Sequence, residues 1–291
     1  MNTLSNPELT LQVSPHGAEL CSIVRNGREY LWQADPAYWK RHSPVLFPIV
    51  GNVWQSTYLH KGKAYTMSQH GFARDMDFEL THASADELRY RLTDTAETRG
   101  KYPFPFMLEI GYRLRGRCID VLWQVTNPST EADLHFQIGA HPAFHLPEHA
   151  PADPRRGFLG FDRTEGLNYI RIAEKGCVDP DTHYPLELTD GLLPLDTHTF
   201  DIDTFILEDG QVHEVTLCAT DKHAVLAVRF DAPVLGLWSP PGKDAPFVCI
   251  EPWYGRCDRA RYSGEYKDRD HVQHLAPGET FESCYTIEIM E

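Results

Sequence analysis

The chain has 291 residues, of which 42% are hydrophobic and 24% are charged, and its formal net charge is -15 at pH 7. This length and composition suffice for a large hydrophobic core, and we expect a single domain spanning residues 1–291. The strong negative charge makes nucleic acid and anionic membranes unfavourable partners, because their phosphate groups would be repelled.

The compartment is indicated by three further features. Residues 1–13 lack a cationic start followed by an apolar run, so no secretory signal is predicted. No stretch of about 18 apolar residues occurs, so no transmembrane helix is predicted. The seven cysteines are dispersed and form no CxxC pair, which is typical of free thiols rather than of a disulfide framework or a zinc ribbon. We therefore expect a cytoplasmic protein.

Short strands ended by turns dominate the chain. The first two are predicted at residues 9–13 and 19–24, and Asn26-Gly27 then separates the second from another β-rich run. An Asn-Gly pair between such runs is a strong hairpin signal, because both turn residues must adopt positive φ. The same pattern recurs around Gly62, around Gly116 and around Asp221-Lys222, and residues 281–290 form a last predicted strand.

Helical patterns are scarce. Residues 35–41 and 93–102 could each form a helical turn or two, whereas 21 prolines and 20 glycines exclude long helices elsewhere. Residues 148–157 are the strongest loop candidate, which we interpret as a surface excursion. The pattern predicts an all-β protein, a large antiparallel β-sandwich with few short helices.

Three segments place ionisable side chains beside apolar runs, at residues 68–75, 136–147 and 247–258. His141 and Glu251 each precede a proline, which restricts them to extended conformations and interrupts strand pairing. We therefore expect each side chain where a strand leaves its sheet. Apolar neighbours should raise the proton affinity of Glu251, and a histidine can be its acid partner near neutral pH. From spacing alone, a core histidine and a solvated strand-end glutamate remain the commoner explanation.

A metal site was considered for the histidines of the second segment. His141, His145 and His149 recur every four residues, as ligands on one face of a helix do, but Pro142 and Pro147 exclude that helix. On a strand, residues four apart are separated by about 13 Å. No metal site is therefore predicted. The glycine-rich nucleotide-binding motifs and GxSxG are absent from the sequence, which argues against nucleotide-binding and α/β-hydrolase functions.

Five segments, in the same order along the chain, resemble the aldose 1-epimerase (galactose mutarotase) family, and its LacX-like branch most closely. They are PVLFPIVGN at 44–52, HGFARDMDFEL at 70–80, IGAHPAFHLP at 138–147, DTFIL at 203–207 and LGLWSPPGKDAPFVCIEPWYGRCD at 235–258. The resemblance implies a galactose-mutarotase-like β-supersandwich with a sugar cleft across one sheet, a small sugar substrate and no cofactor. A monomer or a homodimer is expected.

The resemblance also implies roles for individual residues. His141 matches the general acid of the family and Glu251 its general base. His70 and Asp203 match its sugar-binding residues, and Arg74 matches an arginine that helps to hold the phosphate in hexose-6-phosphate mutarotases.

Further residues expected to contact the sugar are Asn52 and Trp238. Many relatives carry an arginine where this chain has Asn52, and an asparagine supplies neither the charge nor the forked hydrogen bonds of a guanidinium. Trp238 is expected to offer an apolar face for stacking on the sugar, as Trp253 or Phe144 could.

The expected reaction is the interconversion of the α and β anomers of an aldose. Glu251 takes the proton of the C1 hydroxyl while protonated His141 donates to the ring oxygen, and closure on the other face reverses both transfers. Three alternatives stay open: a hexose-6-phosphate mutarotase, which Asn52 makes less favourable; a glycosidase on a related sandwich, which requires two suitably spaced carboxyl groups; and a catalytically silent sugar-binding protein.

Overall fold

The computed structural model describes residues 1–150 and 153–291. The first strands along the chain are Asn2–Ser5 (β1), Thr10–Ser14 (β2), Glu19–Arg25 (β3), Arg28–Glu29 (β4), Val45–Leu46 (β5), Thr57–His60 (β6), Lys63–Thr66 (β7), Glu79–Ala83 (β8), Glu87–Thr93 (β9), Met107–Arg115 (β10), Cys118–Thr126 (β11), Leu134–Phe136 (β12) and Ile138–Ala140 (β13). The strands that follow are Ala143–His145 (β14), Arg155–Phe161 (β15), Asn168–Tyr169 (β16), Ile172–Glu174 (β17), Cys177–Val178 (β18), Tyr184–Pro185 (β19), Leu192–Asp196 (β20), Phe205–Leu207 (β21), Glu214–Cys218 (β22), Ala224–Phe230 (β23), Val234–Trp238 (β24), Phe247–Tyr254 (β25), Gln273–Leu275 (β26) and Thr280–Ile289 (β27).

Two large antiparallel sheets and a smaller one organise these strands. The nine-stranded sheet has the order β20-β15-β22-β23-β27-β11-β10-β9-β8, and the six-stranded sheet has the order β21-β24-β25-β13-β5, with β14 also paired to β25. Strands β1 to β4 form a four-stranded sheet in sequence order. The prediction of an all-β, antiparallel fold is therefore confirmed.

Helical structure is short, as predicted. The α-helix Ala96–Lys101 (α1) lies within the predicted segment 93–102 and begins with a capping box between Thr95 and Thr98. The 3₁₀ turns of the described residues are Trp54–Ser56, Ala73–Asp75 and Tyr266–Asp268. Residues 35–41 form a single hydrogen-bonded turn, with the N–H of Trp39 on the carbonyl of Asp35. No helix of the described residues is long and apolar enough to cross a membrane.

The structure agrees with the predicted Asn-Gly turn and differs from the predicted loop at 148–157. Asn26 and Gly27 have φ of +51° and +79° and join β3 to β4, as the Asn-Gly signal requires. Of the predicted loop at 148–157, the last residues already belong to β15, which begins at Arg155. Pro151 and Ala152 of that loop lie outside the described residues.

The six-stranded sheet has two different faces, because side chains alternate along a strand. Val248 and Ile250 of β25 belong to the same buried cluster as Ile110 and Val121 of the nine-stranded sheet. This face forms the main core between the two sheets. On β25, the residues that alternate with them are Phe247, Cys249, Glu251 and Trp253. The opposite face therefore carries Glu251.

Candidate active site

One cavity of about 370 Å³ opens on this second face of the six-stranded sheet. Its volume lies in the range of pockets that hold small organic ligands. The residues singled out from the sequence that line this cavity are Asn52, His70, Arg74, His141, Asp203, Trp238 and Glu251. Segments far apart in the chain therefore meet at one place.

The centre of the cavity is a contact between His141 and Glu251. Nε2 of His141 lies 3.3 Å from Oε2 of Glu251, and the carboxyl side chain is only 1% exposed. His141 directly follows β13, so its predicted position where a strand leaves the sheet agrees with the structure. The predicted position of Glu251 is wrong, because β25 continues through Pro252 to Tyr254.

A break in the neighbouring strand explains how β25 tolerates Pro252. The pairing of β25 with β14 reaches Cys249, and its pairing with β13 resumes at Trp253. Between them lies the segment His141-Pro142, whose Pro142 carbonyl accepts the N–H of Ile250 at 3.3 Å. Pro252, which lacks an N–H, therefore falls where the ladder is interrupted. The same interruption brings His141 beside Glu251.

Two tryptophans enclose the imidazole of His141. The indole of Trp39 stacks on it, with centroids 4.7 Å apart and planes 26° apart. Trp238 approaches edge-on, at 5.4 Å and 83°. Sequence reasoning missed Trp39, which lies in the segment interpreted only as a possible helical turn; a tryptophan among polar residues there was the available signal. The Nε1–H of Trp32 donates to the carbonyl of Trp39 at 2.8 Å, which helps to hold this segment.

Trp253 forms the floor of the cavity. An added Cβ at Gly139 of β13 would lie 2.6 Å from Cδ1 of Trp253, and one at Gly236 of β24 would lie 2.4 Å from Cη2. The indole thus lies flat across the strands on both sides of β25, and the two glycines make room for it. Phe144, which sequence reasoning offered as another stacking surface, is fully buried in the main core instead.

Burial governs the proton affinities of the central pair. It raises the pKa of Glu251 well above 4.5, with a further contribution from the charge of Asp203. It lowers the pKa of His141 from 6.5 to about 3, assisted by the positive charge of Arg74. The expected increase in the proton affinity of Glu251 is confirmed. The neutral pair, with the proton on Glu251, is therefore favoured.

The backbone and the ring of His70 both form hydrogen bonds with the backbone of Gly51. Its φ is +63°, its N–H donates to the carbonyl of Gly51 at 2.8 Å, and its Nδ1 accepts the N–H of Gly51 at 3.0 Å. The imidazole therefore carries its proton on Nε2. Burial lowers its pKa well below 6.5, and the nearby His141 adds to this effect. The site thus contains a neutral imidazole with a free N–H donor.

Arg74 supplies a positive charge to the wall of the cavity. It lies in the 3₁₀ turn Ala73–Asp75, and its Nη2 donates to the carbonyl of Gln69 at 2.7 Å. Its Nε is buried and, among the described residues, has no hydrogen-bond partner. Burial and the charge of Arg41 lower the pKa of Arg74 to about 10. Arg74 is still a cation at neutral pH.

Asp203 and Asn52 occupy loops at the rim. Asp203 has φ of +71° and precedes β21, and its Oδ1 accepts the hydroxyl of Thr204 at 2.9 Å. Nδ2 of Asn52 donates to the carbonyl of Gly176 at 3.4 Å, which links two segments of the rim. Asn52 therefore makes a loop-to-loop contact at the rim of the cavity.

Comparisons with known proteins identify the family of this chain. A family model described as aldose 1-epimerase matches residues 1–288. The chain belongs to the aldose 1-epimerase family. It is 33% identical to the plasmid-encoded protein LacX of Lactococcus lactis subsp. lactis, over 99% of this chain and 98% of that protein. The LacX-like branch indicated by the sequence is therefore confirmed.

Two solved structures of the family extend this similarity to the fold. A galactose mutarotase related enzyme from Lactobacillus acidophilus is 33% identical, with a TM-score of 0.92 over 100% of this chain and 97% of that one. A galactose mutarotase-like protein from Lactobacillus casei ATCC 334 is 30% identical, with a TM-score of 0.93 over the full length of both chains. The galactose-mutarotase-like fold implied by the sequence is confirmed.

One group of potential metal ligands includes the central pair. Donor atoms of His141, Cys249 and Glu251 lie within 4.8 Å of one another. However, burial raises the pKa of the Cys249 thiol well above 9.0, and it likewise favours the protonated carboxyl of Glu251. Metal binding requires both groups to lose their protons. The environment therefore favours acid–base use of the pair over ligation.

Proposed function

We propose that this chain is an aldose 1-epimerase that interconverts the anomers of an aldose by acid–base catalysis. The observation that carries the proposal is the 3.3 Å contact of the buried His141 and Glu251 side chains in one cavity. A carboxyl group and an imidazole so close together can reach the C1 hydroxyl and the ring oxygen of one pyranose. Membership of the family supports the same reaction.

The proposed cycle moves two protons. The Glu251 carboxylate removes the proton of the C1 hydroxyl, and the His141 imidazolium donates a proton to the ring oxygen. The bond from C1 to the ring oxygen breaks, and the C1 carbonyl forms. After rotation about the C1–C2 bond, the ring oxygen attacks the other face of the carbonyl and both protons return. The proton count of the pair is unchanged over the cycle.

The favoured protonation state of the pair corresponds to the open-chain stage of this cycle. Burial places the shared proton on Glu251 and leaves His141 neutral, which is the state that ring opening produces. Binding of the cyclic sugar therefore requires the proton to move from Glu251 to His141. Both arrangements carry one proton, so this step needs no exchange with solvent.

The other residues of the cavity would bind and orient the sugar. The Nε2–H of His70 is a donor for a sugar hydroxyl, and the carboxylate of Asp203 is an acceptor for another. The flat indole of Trp253, which lies across the cavity floor, matches the apolar face of a pyranose. These contacts would keep C1 and the ring oxygen beside the catalytic pair.

The decisive experiment is NMR exchange spectroscopy of anomer interconversion with a panel of aldoses. Glu251→Gln and His141→Asn should each lower the exchange rate by about 10²- to 10⁴-fold, as expected for loss of a general base or acid. Glu109→Gln, on the nine-stranded sheet, should keep the parental rate. Near-parental rates in either active-site variant would refute the assignment. Sugar binding without exchange in the wild-type protein would instead indicate a silent binding protein.

A second candidate substrate class is the 6-phosphorylated aldoses, which Arg74 favours. Arg74 lines the cavity, and its buried Nε makes no hydrogen bond among the described residues, its nearest carboxylate oxygen being Oδ2 of Asp75 at 3.9 Å. A phosphate oxygen is a suitable acceptor for it. Arg74→Gln should then lower kcat/KM for a hexose 6-phosphate far more than for the free hexose. Equal effects on both substrates would exclude a phosphate-binding role for Arg74.

We also propose that the protein works in the cytoplasm. All seven cysteines are free, as is usual in a reducing compartment.

A further inference from the structure

A second cluster of ionisable side chains lies on β12 and β26, two strands that pair only with each other. His135 of β12 stands directly opposite His274 of β26. Asp133, just before β12, places Oδ2 3.1 Å from Nε2 of His274. Donor atoms of these three residues, the His135 cluster, all lie within 4.8 Å of one another.

We propose that the His135 cluster binds a divalent transition-metal ion of the zinc type. Two imidazoles and one carboxylate are a common ligand set for Zn²⁺, with the remaining position taken by water. Opposite positions of an antiparallel pair bring side chains of one face together. The two imidazole rings accordingly lie with centroids 5.0 Å apart and planes 30° apart. A small rotation of the side chains would bring the donor atoms to ligand distance.

The ring of His135 is available for ligation. No hydrogen bond from the described residues reaches either of its nitrogens, and its Nδ1 is buried without a partner. A buried polar atom without a partner is rare and calls for an explanation, such as an unseen ion. The side chains of Asp133 and His274 are about half exposed, so an ion can enter without opening the fold.

The surroundings leave room for the open coordination positions. A cavity of about 450 Å³ adjoins the cluster, and both His135 and Asp133 line it. Its other charged residues are Glu131, Glu265, Lys61 and Lys267. With Asp133, three carboxylates face two ammonium groups, so the electrostatic balance favours a cation.

Of the three groups of metal-ligand type among the described residues, this one adjoins the 450 Å³ cavity and shares no residue with the proposed acid–base pair. In the group Glu19, Cys21 and His42, Oε1 of Glu19 already accepts the N–H groups of His42 and Ser43 at 2.8 and 3.0 Å. The group His141, Cys249 and Glu251 contains the proposed acid–base pair. In the His135 cluster, the contact of Asp133 with His274 lies between two of the proposed ligands, and Nδ1 of His135 has no partner among the described residues.

A bound ion would link two segments that support the sugar cavity. β12 leads to Gln137, whose Nε2 donates to the carbonyl of Asp270 just before β26 at 2.9 Å. Oε1 of Gln137 accepts the N–H of Val50, a residue of the cavity wall, at 3.1 Å. We therefore expect metal binding to stabilise the folded protein, because the site does not exist in the unfolded chain.

The test uses tag-free protein treated with a chelator and titrated with ZnCl2 by isothermal calorimetry. One Zn²⁺ should bind per chain with micromolar affinity. His274→Ala and Asp133→Asn, both at exposed positions, and His135→Ala should each weaken binding by at least about tenfold, or 1.4 kcal/mol. His198→Ala, which removes one histidine of an exposed His–Asp pair, is the matched control and should bind as the wild type does.

A second readout does not depend on calorimetry. Zn²⁺ should raise the Tm of the wild type and of His198→Ala, and should raise that of His274→Ala much less. Co²⁺ should give the visible absorption bands of a low-symmetry site in the wild type and in His198→Ala, but not in His274→Ala. The proposal is overturned if no Zn²⁺ binds at 100-fold excess, or if all variants bind it equally, which would place the ion elsewhere.

Discussion

The indole of Trp39 stacks on the imidazole of His141, with ring centroids 4.7 Å apart. Trp39 comes from an irregular segment between β4 and β5, whereas His141 follows β13. The contact closes one face of the imidazole to water and fixes the plane of the ring, so that Nε2 faces Glu251. An aromatic residue outside the sheet therefore positions the proposed acid.

Removal of this contact should disturb both position and proton affinity. Trp39→Ala should lower kcat by about 10- to 100-fold, because small misplacements of catalytic groups have effects of this size. It should also move the acidic limb of the pH profile upward, since solvent would reach His141 and the cause of its lowered pKa, burial, would weaken. Trp39→Phe should restore most of both properties. A parental pH profile in Trp39→Ala would contradict the positioning role.

The pH dependence of the wild-type enzyme should be broad. His141, with a pKa of about 3, and Glu251, with a pKa raised well above 4.5, hold one shared proton over the intervening range. We expect kcat/KM, measured by polarimetry, to be nearly constant between about pH 4 and the raised pKa of Glu251. It should fall at more acidic pH, where the neutral imidazole of His141 is protonated, and again as the pH rises through the pKa of Glu251, where the pair loses its one transferable proton. An acidic limb at about 6.5, the ordinary value for histidine, would contradict this.

Glu251 should reduce the stability of the fold as the pH rises. Its folded-state pKa is raised above 4.5, so its contribution is fully present below pH 4.5 and is lost as the pH rises through the folded-state pKa. Glu251→Gln cannot titrate at this position. In that range, its free energy of unfolding should therefore rise relative to that of the wild type by up to about 1.4 kcal/mol per pH unit. Urea unfolding at pH 5 and pH 7 measures the difference.

Glu208 is a control whose contribution to stability should depend on pH in the opposite direction. Burial alone would raise its pKa, but hydrogen bonds and charges from His271 and Arg256 hold the pKa below 4.5. Its contribution to stability is therefore present above pH 4.5 and lost as the pH falls through the folded-state pKa. Glu208→Gln should be less stable than the wild type at pH 7, and the difference should shrink on acidification. If the stabilities of both variants relative to the wild type change with pH in the same direction, the electrostatic account of Glu251 is refuted.

The floor of the cavity should tolerate no side chain at Gly236. A Cβ there would lie 2.4 Å from the indole of Trp253. Gly236→Ala should therefore lower the free energy of unfolding by about 1–3 kcal/mol, as overpacking does, and should raise KM by displacing the indole. Gly100→Ala in α1, where a Cβ meets nothing within 4 Å, should be neutral or slightly stabilising. Equal stability of the two variants would show that the floor is not rigid.

Local sequence patterns predicted the short-range features of the fold. The Asn26-Gly27 turn and the helix at 96–101 depend on neighbouring residues, and both were found where expected. Features that depend on pairing between distant segments were not predicted. The position of Glu251 within β25 is an example, because it depends on the gap between β13 and β14 that accepts Pro252.

The candidate site shows the same division. From the spacing of His141 and Glu251 alone, a core histidine and a solvated strand-end glutamate were the commoner explanation. The family resemblance was needed to group seven residues, and the structure brings these around one cavity. Trp39 stands in a polar segment with no strand alternation, where a tryptophan is unusual, but nothing local indicates that it contacts His141. The facing of His135 and His274 follows from the pairing of two three-residue strands, which are too short to register in a sequence pattern.

In this fold, the reactive pair and the expected sugar-binding residues lie on different parts of the structure. His141 and Glu251 are held by the backbone of the six-stranded sheet, His141 directly after β13 and Glu251 within β25. Asn52, His70 and Asp203, in contrast, lie in loops outside the strands, and loops accept substitutions readily. New sugar preferences can thus arise by rebuilding the rim while the reactive centre stays unaltered, which makes this scaffold a good starting point for directed changes of substrate.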